Sequence, residues 1–125
     1  MKAQELRIGN LVDLGNRIAK VIDIGHLSCT VVHLEETQDT LEDYERTRGI
    51  ALTKEWLEKF GFEKLTDSKD GFKTTSYTYT KGISFIVHFD GVRLSTNFWI
   101  GNEKHYVHQL QNLFFALTGE ELKLI

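Results

Sequence analysis

The most regular hydrophobic pattern of the chain lies near its end, where apolar residues recur every three or four positions. On a helix that turns about 100° per residue these positions form one apolar stripe. The stripe consists of Val107, Leu110, Phe114 and Leu117. Gly119 then supplies a helix stop, because glycine readily takes the left-handed conformation at a helix end. We therefore predict an amphipathic, core-forming helix over residues 105–119, with Leu122 folding back on its last turn.

The first third of the chain has the shorter period of β-strands. Runs rich in β-branched residues occupy 11–14, 17–24 and 27–34, and turns containing glycine separate them. Short and evenly spaced strands are typical of small curled sheets. We predict a β meander over residues 1–34, of the SH3-like barrel kind, a fold that hosts many functions and therefore indicates none.

A second antiparallel sheet is predicted over residues 62–99, with strands at 62–65, 72–79, 83–89 and 92–99. A short helix should precede it, because Thr53 is a good N-cap, Leu57 is placed for a hydrophobic staple and Gly61 ends the pattern. Such a short helix is unstable alone, so its apolar residues must pack on the sheet, and we favour the core for Trp56. The fold class is α+β, with the second sheet flanked by this helix and by the C-terminal amphipathic helix.

The turns of the second sheet predict its register. A type I′ turn at Asp90-Gly91 pairs Phe89 with Val92, Val87 with Leu94 and Phe85 with Thr96. A three-residue loop at 80–82 pairs Tyr79 with Ile83 and Tyr77 with Phe85. Both registers gather apolar side chains on one face, which the final helix would cover. The predicted shared core consists of Phe85, Val87, Phe89, Leu94, Phe114 and Leu117.

Residues 35–45 differ sharply in composition, with six carboxylates in eleven residues. Leu41 and Tyr44 are the only large apolar residues there, so we predict a mobile, solvated connector. The alternative is functional, an acidic docking strip or a mimic of a phosphate backbone. The chain is then one domain of 125 residues, made of a β meander (1–34), an acidic linker (35–49) and a helix–sheet–helix part (50–125).

Composition and charge narrow the function classes. The net charge of −3 provides no overall basic field, so a nucleic-acid partner would require a local basic patch. Cys29 is the only cysteine, which excludes an internal disulfide and fits a reducing compartment. Neither a signal peptide nor a membrane anchor is predicted from the first residues, so we expect a cytoplasmic protein.

Candidate chemistry is sparse. The chain has no nucleophile elbow, phosphate-binding loop or zinc-protease motif. His105 and His108 lie three residues apart, but no recognised spacing joins them to His88, Asp90 or Glu103. Cys29 and His33 would share a strand face at a separation of about 13 Å, too far for a catalytic pair. We therefore predict no catalytic residue, no metal site and no cofactor, although an enzyme remains a less favoured alternative.

The final helix suggests where a partner would bind. Phe115 is turned by about 100° from Phe114, beside His108 and Asn112, so one core surface cannot easily bury both phenylalanines. Phe115 contacts either the N-terminal meander or another molecule. In the second case Phe115, His108, Asn112 and Trp99 would form an apolar interface rimmed by polar groups.

Two segments carry a resemblance to known proteins. They are LTKEWLEKFGF at 52–62 and YVHQLQNLFFALTGEEL at 106–122, with a looser match at ELRIGN, residues 5–10. They resemble a family of small uncharacterised proteins from gut Bacteroidales and their phages and mobile elements, in which a proline stands where this chain has Ala51. The resemblance implies a bacterial or phage cytoplasmic context and transfers no catalytic residue.

The function predicted from the sequence is that of a non-enzymatic protein-binding or adaptor module, phage- or mobile-element-linked in context. Its partner would be another protein or a second copy of the chain. The alternative is a nucleic-acid-binding protein or an acidic nucleic-acid mimic, in which aromatic and basic residues of the second sheet would stack on bases.

Overall fold

The structure is a computed structural model that describes residues 1–15, 17–34, 39–69, 71–81, 83–88, 91–94, 98–99 and 106–125. Contacts divide the chain into two compact units. The first unit contains Met1–Ala51 and Tyr106–Phe114, and the second contains Leu52–His105 and Phe115–Ile125. The units thus cut across the predicted segments, since part of the final helix groups with the N-terminal meander. Whether the two units unfold as one domain stays a prediction.

The first unit is built on a four-stranded antiparallel sheet with the order β1-β2-β3-β4. Its strands are β1 (Leu11–Asp13), β2 (Ile18–Ile24), β3 (Ser28–His33) and β4 (Asp39–Asp43). Every second residue of β3 is buried, as the β-branched alternation predicts. The core of this sheet consists of Leu6, Val12, Ala19, Val21, Cys29 and Val31.

The predicted SH3-like barrel is not closed in this unit. β1 and β4 are the two ends of the sheet order rather than neighbours. A 3-10 helix at Tyr44–Arg46 follows β4, and the chain then meets β1 at one isolated bridge between Arg48 and Asp13. The α+β class is confirmed, whereas the sheet of the first unit remains open.

Five residues of the predicted acidic connector form a strand instead of an irregular segment. Asp39–Asp43 forms β4 and pairs with β3 along its whole length, from Val32 opposite Asp39 to Ser28 opposite Asp43. The physical reason is that charge does not prevent pairing on an edge strand, where carboxylates can point into water. Residues 35–38 lie outside the described part of the chain.

The second unit contains a five-stranded antiparallel sheet with the order β5-β6-β7-β8-β9. Its strands are β5 (Glu63–Lys69), β6 (Phe72–Lys81), β7 (Ile83–His88), β8 (Gly91–Leu94) and β9 (Phe98–Trp99). Lys69 at the end of β5 lies opposite Phe72 at the start of β6, and Gly71 in the turn between them adopts a left-handed φ of 81° that glycine readily takes.

Both predicted registers of this sheet are wrong by two residues. Tyr77 lies opposite Val87 and Tyr79 opposite Phe85, while Val87 lies opposite Val92 and Phe85 opposite Leu94. The loops are therefore centred on other residues than predicted. Because a shift of two conserves the face of every side chain, the predicted grouping of Tyr77, Phe85 and Val87 on one face survives. All three are buried.

Helix α1 (Lys54–Lys59) forms where its cap predicts. Thr53 is the N-cap, and its hydroxyl accepts a hydrogen bond from the backbone N–H of Trp56 at 3.4 Å. Leu57 and Phe60 are buried. Trp56 is only half-buried, and the Lys59 ammonium lies 4.7 Å above its ring, so this aromatic is not the core residue that the sequence favoured.

Helix α2 (Val107–Thr118) ends at Gly119, whose φ is 74°, as predicted. Val107, Leu110 and Phe114 are buried, but Leu117 is 39% exposed and so does not belong to the core. Of the predicted shared core, Phe114 groups with the first unit and Phe85 and Val87 with the second. Phe89 and the side chain of Leu94 lie outside the described part. A single shared core stays a prediction.

Candidate functional site

The four predicted interface residues have unlike surroundings. His108 is only 3% exposed, whereas Phe115, further along α2, is 37% exposed. Asn112 is half-buried and hydrogen-bonded within the first unit. Trp99 lies in β9, opposite Arg93, and its side chain is outside the described part. Among the three side chains that the structure describes, Phe115 is the exposed one. An interface formed by all four residues stays a prediction.

The polar side of α2 holds the start of the chain in place. The Gln111 side chain accepts a hydrogen bond from the Leu11 backbone N–H at 2.9 Å and donates one to the Gly9 carbonyl at 3.2 Å. Asn10 is fully buried and donates to the Asn112 side-chain oxygen at 2.8 Å. Gln111 thus satisfies backbone groups near the start of the chain, and Asn10 and Asn112 pair with each other, so the role of these amides is structural.

The His108 side chain is buried against its neighbours rather than exposed on the surface. Its ring stacks on Tyr106 with 5.8 Å between ring centroids. A Cβ atom on Gly49 would lie 2.8 Å from the Tyr106 ring and 3.0 Å from His108 Cε1, so only glycine allows this approach. Burial lowers the pKa of His108, and the Glu5 carboxylate acts in the opposite direction with a smaller effect than burial. The neutral ring is therefore the form that this packing favours.

A second candidate surface of the first unit lies along β4. Asp39, Leu41 and Asp43 are the exposed residues of this strand and alternate with half-buried Thr40 and Glu42. Leu41 is 72% exposed even though it lies within a strand. We call Asp39, Leu41, Asp43 and the outer backbone edge of the strand the β4 surface. It combines one apolar side chain with two flanking carboxylates.

The inner side of β4 is fixed by a chain of hydrogen bonds. Thr40 Oγ1 donates to Glu42 Oε1 at 3.3 Å and lies 3.2 Å from His33 Nε2. The hydroxyl that donates to Glu42 can also accept a hydrogen bond from the imidazole in the tautomer with its proton on Nε2. At the end of the strand, the Thr47 hydroxyl donates to the Asp43 carbonyl at 3.0 Å. The β4 surface is therefore part of an ordered strand.

The edge of the second sheet provides a contrast. β5 is also at the end of its sheet order, and it also carries an exposed leucine, Leu65, at 50%. Its sequence from Glu63 to Lys69 contains two acidic and two basic residues, whereas β4 contains three acidic residues and no basic one. Uniform negative charge thus distinguishes β4 from an otherwise similar edge.

A half-open pocket of about 630 Å³ lies within the second unit. Phe60, Gly61 and Tyr79 line one side, and the chain after α2 lines the other with Glu120, Glu121, Lys123, Leu124 and Ile125. The Ile125 N–H donates to the Lys59 carbonyl at 2.7 Å, but the Ile125 residue is 94% exposed. One wall of this pocket is therefore a solvated segment, which makes it a weaker candidate than the β4 surface.

The described residues do not bring together a metal or nucleophile site. No group of three or more histidine, cysteine, aspartate or glutamate side chains among them could hold a metal ion. Cys29 is fully buried with Sγ 3.9 Å from Thr47 Oγ1, and burial raises the pKa of its thiol. Within the same part of the chain, neither helix has the length and apolarity needed to cross a membrane.

Comparison with known proteins finds no match to this chain among protein-family models, curated proteins or solved structures. The resemblance to the Bacteroidales family is therefore still an expectation from two sequence segments. The candidate site that the structure supports best is the β4 surface, which sequence reasoning listed only as the functional alternative for an acidic connector. The signal in the sequence is the spacing of Asp39, Leu41 and Asp43 at every second position, which would place all three on one face of a strand.

Proposed function

We propose that this protein is a non-enzymatic protein-binding or adaptor module that contacts its partner through the β4 surface. The observation that carries the proposal is the 72% exposure of Leu41 between two exposed carboxylates on an ordered edge strand. A cytoplasmic bacterial or phage context, implied by the resemblance of its two segments, is part of the same proposal.

The energetics favour a protein partner at this position. Complete burial of a leucine side chain is worth about 1.5–3 kcal/mol, so covering the exposed part of Leu41 contributes roughly 1–2 kcal/mol to binding. Carboxylates at the margin of an apolar contact add specificity and association rate more than affinity. The β4 surface thus has the composition of a small contact site for a partner with positive charge.

We include an SH3-like strand arrangement in the proposal, although the sheet of the first unit is open, because of the connection that follows β4. Its strands are followed by a 3-10 helix, after which Arg48 and Asp13 exchange two backbone hydrogen bonds of 2.9 Å. That connection brings the chain after β4 back to β1. In this arrangement no strand among the described residues pairs with the outer edge of β4, so the β4 surface is accessible to a partner.

Affinity capture with matched variants tests the proposal. The full chain is immobilised as wild type, as Leu41→Thr and as Leu65→Thr, and lysate of the source organism is passed over each after nuclease treatment. Threonine retains strand propensity while removing most of the apolar side chain. Leu65→Thr is the control, because it makes the same change on the edge strand of the other sheet.

We expect some proteins to be captured equally by wild type and by Leu65→Thr. Leu41→Thr should capture at least about fivefold less of these proteins, the equivalent of about 1 kcal/mol. Equal capture by all three would refute contact through Leu41, on which the proposed function rests. Capture that disappears with nuclease treatment would instead favour the alternative of a nucleic-acid-binding protein. Capture that is unaffected by Leu41→Thr but lost in a further variant, Asp39→Asn/Asp43→Asn, would favour an acidic mimic of nucleic acid.

A further inference from the structure

The outer edge of β4, with which no strand of the described residues pairs, and the charge of the strand together indicate the kind of partner that fits. We infer that the contacting part of the partner is an extended segment rich in lysine or arginine, which adds to the first sheet as a further strand next to β4. This inference rests on the proposed function and goes beyond it by naming the chemistry and the conformation of the partner.

The backbone supplies the first part of the argument. β4 pairs with β3 over all five of its residues, and no described strand pairs with its other edge. On an edge strand every second residue points its N–H and C=O groups away from the sheet, where they can pair with an added strand. Five residues span roughly 17 Å, enough to pair with a segment of similar length.

The charge of the strand supplies the second part. Asp39, Glu42 and Asp43 are all acidic, and β4 contains no lysine, arginine or proline. Charged side chains and proline are common means by which proteins block an edge strand; this edge has no proline and its charges are all negative, so they repel another acidic strand but not a basic one. The side chains of an added strand lie directly opposite those of β4, so lysine or arginine in the added strand would face carboxylates.

The same charge argues against a second copy of this chain as the occupant. Two β4 strands paired edge to edge would place like charges opposite one another, which is destabilising. The corresponding edge in the second unit, β5, contains both signs of charge and lacks this preference. A basic segment of a different protein is therefore the occupant that complements β4.

The strand is also ordered before a partner arrives. Thr40 is hydrogen-bonded to Glu42 and lies within hydrogen-bond distance of His33, and the Asp43 carbonyl accepts from the Thr47 hydroxyl. The added segment then loses conformational freedom on binding, while β4 loses little. Preorganisation of one partner in this way reduces the cost of association.

Two synthetic peptides test the inference on the full-length protein. The first is a ten-residue peptide in which lysine alternates with valine, and the second replaces every valine by proline. Both carry the same charge, but proline has no N–H and is excluded from paired strands except at edges. Binding is measured by titration calorimetry at low salt, and amide hydrogen exchange locates the contact.

We expect the lysine–valine peptide to bind at least tenfold more tightly than the lysine–proline peptide and to slow exchange at alternate amides of β4. Exchange in β5 should not change. The double variant Asp39→Asn/Asp43→Asn should bind the lysine–valine peptide about five- to tenfold more weakly than wild type, because it loses two exposed ion pairs. A control with two other exposed carboxylates neutralised, Glu58→Gln/Glu63→Gln, should bind like wild type.

Several results would overturn strand addition: equal affinity for the two peptides, no binding of the lysine–valine peptide, or slowed exchange that avoids β4. Equal affinity would mean that only charge is recognised. None of these results touches the capture experiment with Leu41→Thr, which tests the proposed function separately. If capture depends on Leu41 while the peptides fail, the β4 surface binds a protein in another way. If capture ignores Leu41, the proposed function itself falls.

Discussion

Replacing Gln111 by leucine should destabilise the first unit. The Gln111 side chain is buried, accepts from the Leu11 N–H at 2.9 Å and donates to the Gly9 carbonyl at 3.2 Å. Leucine leaves the buried Leu11 N–H without its partner, at a cost of about 1–3 kcal/mol, and removes a second bond worth about 1 kcal/mol. The added apolar surface offsets part of this loss. We expect a net destabilisation of about 2–3 kcal/mol.

Gln109 on the same helix provides the matched control. Its side chain also accepts a backbone hydrogen bond, from the Tyr106 N–H at 2.8 Å, but it is exposed, so water can replace it. Gln109→Leu should therefore cost at most about 1 kcal/mol, as the loss of a helix cap does. Urea denaturation followed by circular dichroism compares the two variants, and exchange of the Leu11 amide shows whether the loss is in the first unit. Equal destabilisation by both substitutions would refute this account of Gln111.

Three further predictions concern packing and pH. Phe114→Ala should lower the stability by about 3–5 kcal/mol, whereas Phe115→Ala, at a side chain already 37% exposed, should cost far less in the same urea titration. Gly49→Ala should destabilise by about 1–3 kcal/mol, because its Cβ would lie 2.8 Å from the Tyr106 ring, and a thermal midpoint equal to wild type would contradict that contact. The pKa of His108 is lowered from 6.5 in the folded protein, so the contribution of the neutral ring to the free energy of unfolding should be complete above pH 6.5 and should be lost as the pH falls from 6.5 toward the lowered pKa. In His108→Gln, the stability measured by urea titration should therefore depend less on pH. An unchanged pH dependence in this variant would exclude His108 as the cause.

Local patterns predicted the elements of this fold more reliably than their pairing. Thr53 caps α1 and Gly119 ends α2 as expected, since caps depend on a few neighbouring residues. The observed hairpin registers differ from the predicted ones by two residues. Registers that differ by two residues keep the same side chains on the same face, so hydrophobic alternation cannot distinguish them, and the geometry of the turn decides which one forms. The face of each strand was therefore predictable where its exact partner was not.

The acidic segment shows why composition can mislead. Six carboxylates in eleven residues suggested a solvated connector, yet Asp39–Asp43 pairs fully with β3. Thr40 and Glu42 are half-buried, whereas Asp39, Leu41 and Asp43 are exposed. The exposure of the side chains therefore alternates along the strand, although few of its residues are apolar. An edge strand needs only one partner, and that partner is supplied by β3, whose own apolar pattern is clear.

The candidate interface on α2 was predictable only in part. The exposure of Phe115 follows from helical geometry, because it lies off the apolar stripe. The burial of His108 does not, since an imidazole enters a core only when tertiary neighbours such as Tyr106 cover it. Gln111, four residues after Val107, lies on the buried side by spacing, but nothing local shows that Gly9 and Leu11 would be its partners.

The hydrogen bond between Gln111 and Leu11 joins residues 100 positions apart, and the whole of Leu52–His105 lies between the two parts of the first unit. During synthesis the ribosome makes the N-terminal strands long before it makes the helix that satisfies their buried backbone groups. At about 5–20 residues per second, the delay amounts to roughly 5–20 seconds. Throughout that time the backbone groups of residues 9–11 must remain hydrated or find a temporary partner. A nascent chain stalled before Tyr106 should accordingly be sensitive to protease in its first 51 residues and become resistant only after Phe114 has left the exit tunnel.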